Sequence, residues 1–408
     1  MKILFANKFF FMKGGAETVF FQEREMVRQA GHQVIDFAMQ HPDNLPSPQS
    51  GYFPANVDYH QQHGLFERLK IAARFIHNQE ACDRLAELIR AERPDIVHFH
   101  NIYHQLTPAI IRVAKSLGCK TVLTAHDYKV VCPSYSMQVK NEPFEPARIE
   151  GSWLKLFRHQ WLEGSWSKSL LLSAEAAWQQ WRRNYEQVDA LVAPSAFMAR
   201  MLRSRLPASR IEVILNGIDV EASRESGEDR GYFLFLGRLM AEKGVETLAR
   251  AHQRMTRPAG LKIVGGGPLQ AHLGHHYPNA ELLGFKQGEE LLDLLRHAKA
   301  VVVPSEWYEN CSMSVLEAMA YGKPVIGARI GGIPEQIRDG VDGLLFEAGN
   351  VDELSHCMDM LVAEPELTNL MGASARQRLI NDYSLLNHKN KLMGLYESIA
   401  GGDSYVIF

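Results

Sequence analysis

The sequence is poor in several features, and each shortage excludes a class of protein. It has only five cysteines in 408 residues, Cys82, Cys119, Cys132, Cys311 and Cys357, and none is spaced C-x-x-C. An odd, scattered set of this kind fits a reducing compartment better than a disulfide framework. No run of about 20 apolar residues occurs, so no membrane-spanning helix is expected. The opening Met1-Lys-Ile-Leu-Phe-Ala-Asn7 holds an apolar run too short for a signal peptide, and it reads as a strand. Net charge is only -3, which argues against a dedicated nucleic-acid binder. There is no complete G-x-G-x-x-G, so a dinucleotide site is unsupported, and no repeat of solenoid period.

What is present is a long alternation of strand and helix patterns. Lys2–Ala6 reads as a strand, Gly14-Gly15 as a turn, Val19, Phe20, Glu23, Met26 and Val27 as one helix face, and residues 34–38 as the next strand. The stretch 41–64 carries four prolines and reads as a loop. A helix is expected from about Leu65 to Ala91, ended by Pro94, then a buried strand at Ile96–Phe99. A helix over 108–117 and a strand over 121–124 follow. The pattern restarts at Tyr232–Leu236, with a helix over 244–255 and strands at 261–264, 300–303, 325–326 and 343–346. A helix at 314–321 lies among them. Such alternation predicts parallel sheets covered on both faces, and 408 residues suit two of them. The expected division is 1–215 and 216–383, with a final helix, 384–400, returning to the first domain through Leu385, Leu386, Leu392, Leu395, Tyr396 and Ile399. In open sheets of this type ligands bind outside the carboxyl ends of the strands, so chemistry belongs on the loops that follow them.

Four such loops carry reactive residue types. In 304–322, Glu309 precedes a helix and Glu317 sits in its first turns. Carboxylates there suit hydroxyl-rich ligands, and the free N–H groups of a helix start suit a diphosphate. A second reading stands for Glu317, because Ser314-x-x-Glu317 is also a capping box. In Gly237-Arg238-Leu-Met-Ala-Glu-Lys243-Gly244, two cations precede a helix, where they would meet the charge developing on a leaving diphosphate. In Lys13-Gly14-Gly15-Ala-Glu17, glycines permit close approach of a ligand to the backbone. In Thr124-Ala-His126-Asp127, His126 is placed to contact a sugar or an acceptor, and Asp127 to bind acceptor hydroxyls. His98, His100 and His104 cluster, but no cysteine or carboxylate at a recognised spacing completes a ligand set, so no metal site is expected. Five of the six tryptophans fall within 153–183 among Lys155, Arg158, Lys168, Arg182 and Arg183. That mixture suits either a lipid–water interface or a helical hairpin packed on the first domain.

With these residues in view, the chain resembles glycosyltransferase family 4, a family of retaining GT-B enzymes. The likeness is most specific over 304–346, in Leu316-Glu-Ala-Met-Ala, Gly322-Lys-Pro-Val, Gly331-Gly332-Ile-Pro-Glu335 and Asp342-Gly343-Leu-Leu. Gly237-Arg238-Leu, Glu242-Lys243-Gly244, the run Val264-Gly265-Gly266-Gly267-Pro268 and Gly14-Gly15-Ala-Glu17 fit it too. The resemblance implies a GT-B fold, an α/β pair of Rossmann-like, doubly wound domains facing each other across a cleft. It implies that Arg238 and Lys243 bind the donor diphosphate. Glu309 would hold the transferred sugar, Glu317 the ribose, Gly15 the phosphates, and His126 the sugar. Phe285 and Lys286 would flank the base. Gly237, Gly265, Gly266, Asn310, Cys311 and Ser312 fall on the donor side, and Lys13, Glu17 and Asp127 on the acceptor side.

The function so implied is transfer of a sugar from a UDP- or GDP-sugar to a hydroxyl of a glycan or lipid-linked acceptor. It needs no cofactor and no metal. The absence of any D-x-D tripeptide sets the chain apart from the single-domain, metal-dependent glycosyltransferases. A cytoplasmic location is expected, and 153–183 is the stretch that would meet the inner face of a membrane if it does not pack on the first domain. The rival readings are an epimerase or phosphorylase on the same fold, and a membrane-surface binding protein without catalysis.

Overall fold

A computed structural model describes residues 1–57, 65–139, 142–143, 165–220 and 227–401. Contacts divide the chain into two compact units. Unit 1 is Met1–Ile214 with the chain from Lys389 onward, and unit 2 is Leu215–His388.

Unit 1 is built on six parallel strands: β1 (Lys2–Ala6), β2 (Gln33–Phe37), β3 (Ile96–Phe99), β4 (Lys120–Thr124), β7 (Ala190–Ala193) and β8 (Ile211–Val213). Their order is β2-β1-β3-β4-β7-β8. A two-stranded antiparallel ribbon, β5 (Gln138–Val139) and β6 (Glu142–Pro143), stands apart. Ile3–Ala6 and Ile96–Phe99 are buried along their whole length, as expected of strands covered on both faces. The helix Gly15–Gln29 buries Val19, Phe20, Met26 and Val27 against the sheet, and with them the carboxylate of Glu23. An acid on the apolar face of a helix calls for a partner inside the fold.

The helix expected over 65–91 is in fact two, Leu65–Ile76 and Gln79–Glu92. Asn78 divides them. Its side chain accepts from Ala81 N at 3.1 Å and donates to Gln105 O at 2.5 Å. The apolar periodicity runs through the break, so the capping residue and not the pattern marks it. The last helix, Leu385–Ala400, contributes Leu392, Leu395, Tyr396 and Ile399 to a core with Ile3, Phe5, Phe20 and Val192. Leu386, expected on that packed face, is 63% exposed.

Unit 2 holds β9 (Tyr232–Leu236), β10 (Gly260–Val264), β11 (Ala280–Gly284), β12 (Ala300–Val303), β13 (Val325–Ala328) and β14 (Gly343–Phe346). All are parallel, in the order β11-β10-β9-β12-β13-β14. Alternate residues face opposite sides. Phe233, Phe235, Val302 and Ile326 join one core, and Tyr232, Leu234, Val301 and Val325 the other. Each sheet has one place where strand order reverses. In unit 1 it lies between β1 and β3, and in unit 2 between β9 and β12. The loops that leave these neighbours diverge to opposite faces and open a crevice at the carboxyl ends.

Candidate active site

In unit 2 the two loops at the reversal carry Arg238 and Lys243 after β9, and Glu309 after β12. The chain reaches Lys243 through a short turn, Ala241–Lys243. Gly244 follows in a left-handed conformation, φ 64°, and starts the helix Val245–Arg254. A side chain at Gly244 would lie 1.8 Å from Pro304 O, so this glycine lets the two loops touch. Lys243 Nζ then sits 2.6 Å from Glu309 Oε1. The same oxygen accepts from Trp307 Nε1 at 2.9 Å and from Ser305 Oγ at 3.0 Å. Burial pushes the Glu309 carboxyl up, but the Lys243 charge and these three donors outweigh it and hold it below the usual range. It is therefore ionised at neutral pH and acts only as an acceptor. Its second oxygen, Oε2, takes part in none of these bonds.

The backbone of the Glu309 loop is held from a third side. Gly332 N donates to Glu309 O at 2.7 Å. Side chains at Gly331 or Gly332 would fall 2.3 Å from Glu309 O and 2.0 Å from Asn310 O. The Gly331-Gly332 pair thus has a packing reason that its place in the sequence does not reveal. Gln336 clamps the same loop by accepting from Ser312 N at 2.8 Å and donating to Ser312 O at 3.0 Å. Asn310 and Ser312 are buried, and burial pushes the Cys311 thiol up to about 12, so it stays protonated.

The capping-box reading of Glu317 is not what the structure shows. The helix is Met313–Ala320 with Ser312 at its N-cap and no side-chain cap. Ser314 lies inside the helix and donates to Leu236 O at 3.2 Å. Glu317 makes no hydrogen bond or ion pair with any described residue. Burial alone pushes its carboxyl up to about 7. Arg238 stands 63% exposed, with Glu242 3.9 Å away. Phe285 is 77% exposed after β11, and Lys286 pairs with Glu290 at 3.2 Å.

The glycine run 265–267 divides by purpose. A side chain at Gly265 would meet Gly237 O at 1.8 Å, and one at Gly267 would meet Leu239 O at 2.5 Å, so both serve loop packing. At Gly266 the nearest atom would be Gln270 Oε1 at 4.0 Å, and no fold contact demands a glycine there.

Unit 1 assembles a different set. Glu23, from the helix after β1, faces His98 Nδ1 at 3.4 Å and His100 Nε2 at 3.6 Å, all of them buried. His98 also shares hydrogen bonds with Tyr396 Oη (2.6 Å) and Thr124 Oγ1 (2.8 Å), and His100 Nδ1 with His126 Nε2 (2.8 Å). The carboxylate missing from the local spacing of the histidines is therefore supplied from 75 residues away. Three ligand-type atoms lie within 4.8 Å of one another. Both His98 nitrogens are already engaged by hydroxyls, so the set reads as a proton-sharing network. His104 stands outside it, stacked on Phe75 with centroids 4.0 Å apart.

The expected acceptor-side residues divide likewise. Asp127 Oδ1 accepts from Lys129 N at 3.0 Å and Oδ2 from the Tyr103 hydroxyl. Burial pushes its carboxyl up to about 6. Glu17 is buried, with Asn7 Nδ2 3.4 Å away. Lys13, Gly14 and Gly15 are exposed, and a side chain at Gly14 would meet only Glu17 Oε2, at 3.8 Å. Reading by sequence missed Glu23, Tyr103, Trp307 and Gln336. Only Glu23 left a signal, as an acid on an otherwise apolar helix face.

Two family models match. Residues 13–222 match Glycosyltransferase Family 4, and residues 219–378 match Glycosyl transferases group 1. The chain belongs to glycosyltransferase family 4. This family 4 chain is 26% identical to alpha-maltose-1-phosphate synthase of Mycolicibacterium smegmatis over 345 residues, 76% of this chain and 80% of the relative. Against several other curated relatives it spans only about half their length. Its fold is that of sucrose-phosphate synthase from Thermosynechococcus elongatus, with TM-score 0.72 and 19% identity over 97% of this chain and 98% of that one. It is also that of HepE from Anabaena, solved in complex with UDP-glucose, with TM-score 0.64 and 16% identity over 97% and 99%. Family membership and the GT-B fold follow, two parallel six-stranded α/β units.

Proposed function

We propose that this family 4 chain is a retaining glycosyltransferase that moves a sugar from a UDP- or GDP-sugar to a hydroxyl of a glycan or lipid-linked acceptor. The observation that carries the reading is the constellation at the reversal of the unit 2 sheet. Lys243 is locked to an ionised Glu309, a carboxyl at Glu317 has no partner among the described residues, and an exposed Arg238 stands on the same loop as Lys243. Such a set matches the parts of a nucleoside diphosphate sugar one by one. Arg238 and Lys243 meet the diphosphate, and the charge on its departing oxygen grows as the glycosidic bond breaks. Glu309 Oε2 accepts from hydroxyls of the transferred sugar, and Glu317 from the ribose. Gly266 and Gly14, which no packing contact explains, give a ligand room to approach.

In unit 1, His126 shares a hydrogen bond with His100 through Nε2, which orients the ring read here as contacting the sugar. We assign retention to attack on the face from which the diphosphate leaves. The acceptor oxygen bonds to the anomeric carbon as the carbon–oxygen bond to phosphate breaks, and the departing phosphate oxygen takes the acceptor's proton. This reading assigns the diphosphate charge to Arg238 and Lys243 and calls on no metal.

The test is calorimetric and thermal-shift titration with UDP, GDP and ADP and their sugar conjugates, with and without chelator. Stabilisation by one nucleotide series, kept in chelator and lost in Arg238→Ala, is expected. No response to any nucleotide would remove the reading.

A second reading, contact with a membrane surface, is favoured by one observation. No described helix is long and apolar enough to cross a membrane. On the helix Trp166–Arg182, however, Trp166, Leu170 and Trp181 are all exposed and fall on one face, with Arg182 beside them. Trp153, Trp161, Lys155 and Arg158 lie outside the described residues. Co-sedimentation with anionic vesicles, lost in the double variant Trp166→Ala/Trp181→Ala, is the expected result. Equal partition of both proteins would dismiss it.

A further inference from the structure

The crevice where the unit 1 sheet reverses has a chemistry of its own. The loops after β1, β2 and β3 line an open cavity of about 410 Å³, whose residues include Lys8, Phe9, Lys13, His41, Tyr103 and Gln105. Its described lining includes two lysines and two histidines but no carboxylate. Lys8 Nζ lies 4.2 Å from the centre of the Tyr103 ring, and Lys13 Nζ 3.8 Å from that of Phe9. Neither ammonium forms an ion pair with any described residue. The nearby acids are already committed. Both Asp127 oxygens accept hydrogen bonds, and Glu17 is buried beside Asn7.

A half-buried ammonium against an aromatic face is poorly compensated, since a ring quadrupole replaces only part of the lost hydration. Burial pushes the Lys8 ammonium below its usual value, with Asp127 and Glu17 opposing. An anion placed between the two lysines would supply the missing partner, with charge-assisted hydrogen bonds in a partly dry site.

We infer that this crevice is an acceptor subsite that takes a sugar carrying an anionic group, a phosphate or a carboxylate. Lys8 and Lys13 hold the anion, and the rings of Phe9 and Tyr103 pack against the pyranose, while Gln105, which accepts from Val57 N at 3.2 Å and donates to Val57 O at 2.8 Å, fixes the wall of the crevice. The inference rests on the transferase reading and names the class of molecule that receives the sugar. The position supports it too, because this is the point of the unit 1 sheet where a ligand crevice opens.

The full chain is titrated, with and without its nucleotide, against hexose 1- and 6-phosphates, hexuronates, neutral hexoses and inorganic phosphate. At least one anionic sugar is expected to bind about tenfold more tightly than neutral hexoses or inorganic phosphate. The phosphate and carboxylate arms tell which anion is used. Lys8→Met and Lys13→Met should each lower that affinity about tenfold. Nucleotide affinity in the same samples reports that the fold is intact, and the exposed Lys13 supplies a variant that leaves the core untouched. Equal binding of neutral and anionic sugars overturns the inference, as does a preference that survives both substitutions. If nucleotide binds and no anionic preference appears, only the acceptor inference falls. If wild type binds no nucleoside diphosphate, the transferase reading falls and this inference with it.

Discussion

The two units place their charged residues differently at equivalent points of similar sheets. At the reversal in unit 2, Lys243 and Glu309 meet at 2.6 Å, one Glu309 oxygen stays clear of those bonds, and Glu317 has no partner among the described residues. Behind the reversal in unit 1, Glu23 is enclosed with His98 and His100, and hydroxyls of Thr124 and Tyr396 complete the network. The comparison teaches that charge near a strand end is not evidence of a ligand site by itself. In unit 2 the polar atoms are left with capacity to spare, whereas the unit 1 network consumes much of its own. What unit 1 leaves over is a pair of cations, Lys8 and Lys13, against aromatic rings.

Substitutions on the two sides should separate accordingly. The largest effect is expected at Glu309. Glu309→Gln should cut sugar transfer by about 10²–10³, measured as nucleoside diphosphate release, because the group that neutralises Lys243 and holds the sugar is lost. A small change there would break the contrast.

The glycines sharpen it next. Gly332→Ala should cost about 1–3 kcal/mol in thermal or denaturant unfolding, since its methyl would meet Asn310 O. Gly266→Ala should leave stability within about 0.5 kcal/mol and yet weaken nucleotide binding. If Gly266→Ala destabilises the fold and spares binding, Gly266 belongs with its neighbours in loop packing.

A smaller effect is expected in the unit 1 network. Tyr396→Phe should cost about 1–2 kcal/mol of stability by leaving buried His98 short of a partner, with nucleotide affinity unchanged. Weakened nucleotide binding in this variant would contradict a purely structural role.

The smallest effect is a fraction of a proton. The Glu317 carboxyl lies at about 7, above the ordinary carboxylate value near 4.3. The stabilisation it gains by staying protonated is complete below about pH 4.3 and is lost as pH rises through about 7. Hydroxyl donors favour the ionised form. Nucleotide binding near pH 6 should therefore release protons and tighten as pH rises toward 7, seen by calorimetry in buffers of different ionisation enthalpy. Glu317→Gln should abolish the release. Release unchanged in that variant would assign the proton to another group.

Much of this was legible in the residues themselves. Short apolar runs such as Ile96–Phe99 and Ala300–Val303, rich in β-branched residues and alternating with helical patterns, read as strands covered on both faces, so the α/β class followed from pattern. Helix ends were less legible. The break at Asn78 depends on a hydrogen bond to Gln105, 27 residues away, and periodicity carries no trace of it. At Glu317 local pattern misled, because Ser314-x-x-Glu317 satisfies the spacing of a capping box, while the N-cap lies two residues earlier at Ser312 and Ser314 turns toward Leu236.

The sequence by itself determined which loops carry chemistry. Position after a strand is a property of chain order, and Arg238, Lys243, Glu309 and Glu317 stand where that order puts them. Only the tertiary structure decided what each group is free to do. Whether a carboxylate is paired, as Glu309 is with Lys243 across 66 residues, or left open, as Glu317 is, depends on which distant donors packing brings within about 3 Å. Hydrogen bonds and desolvation act over a few ångströms of space, and separation along the chain says nothing of that distance.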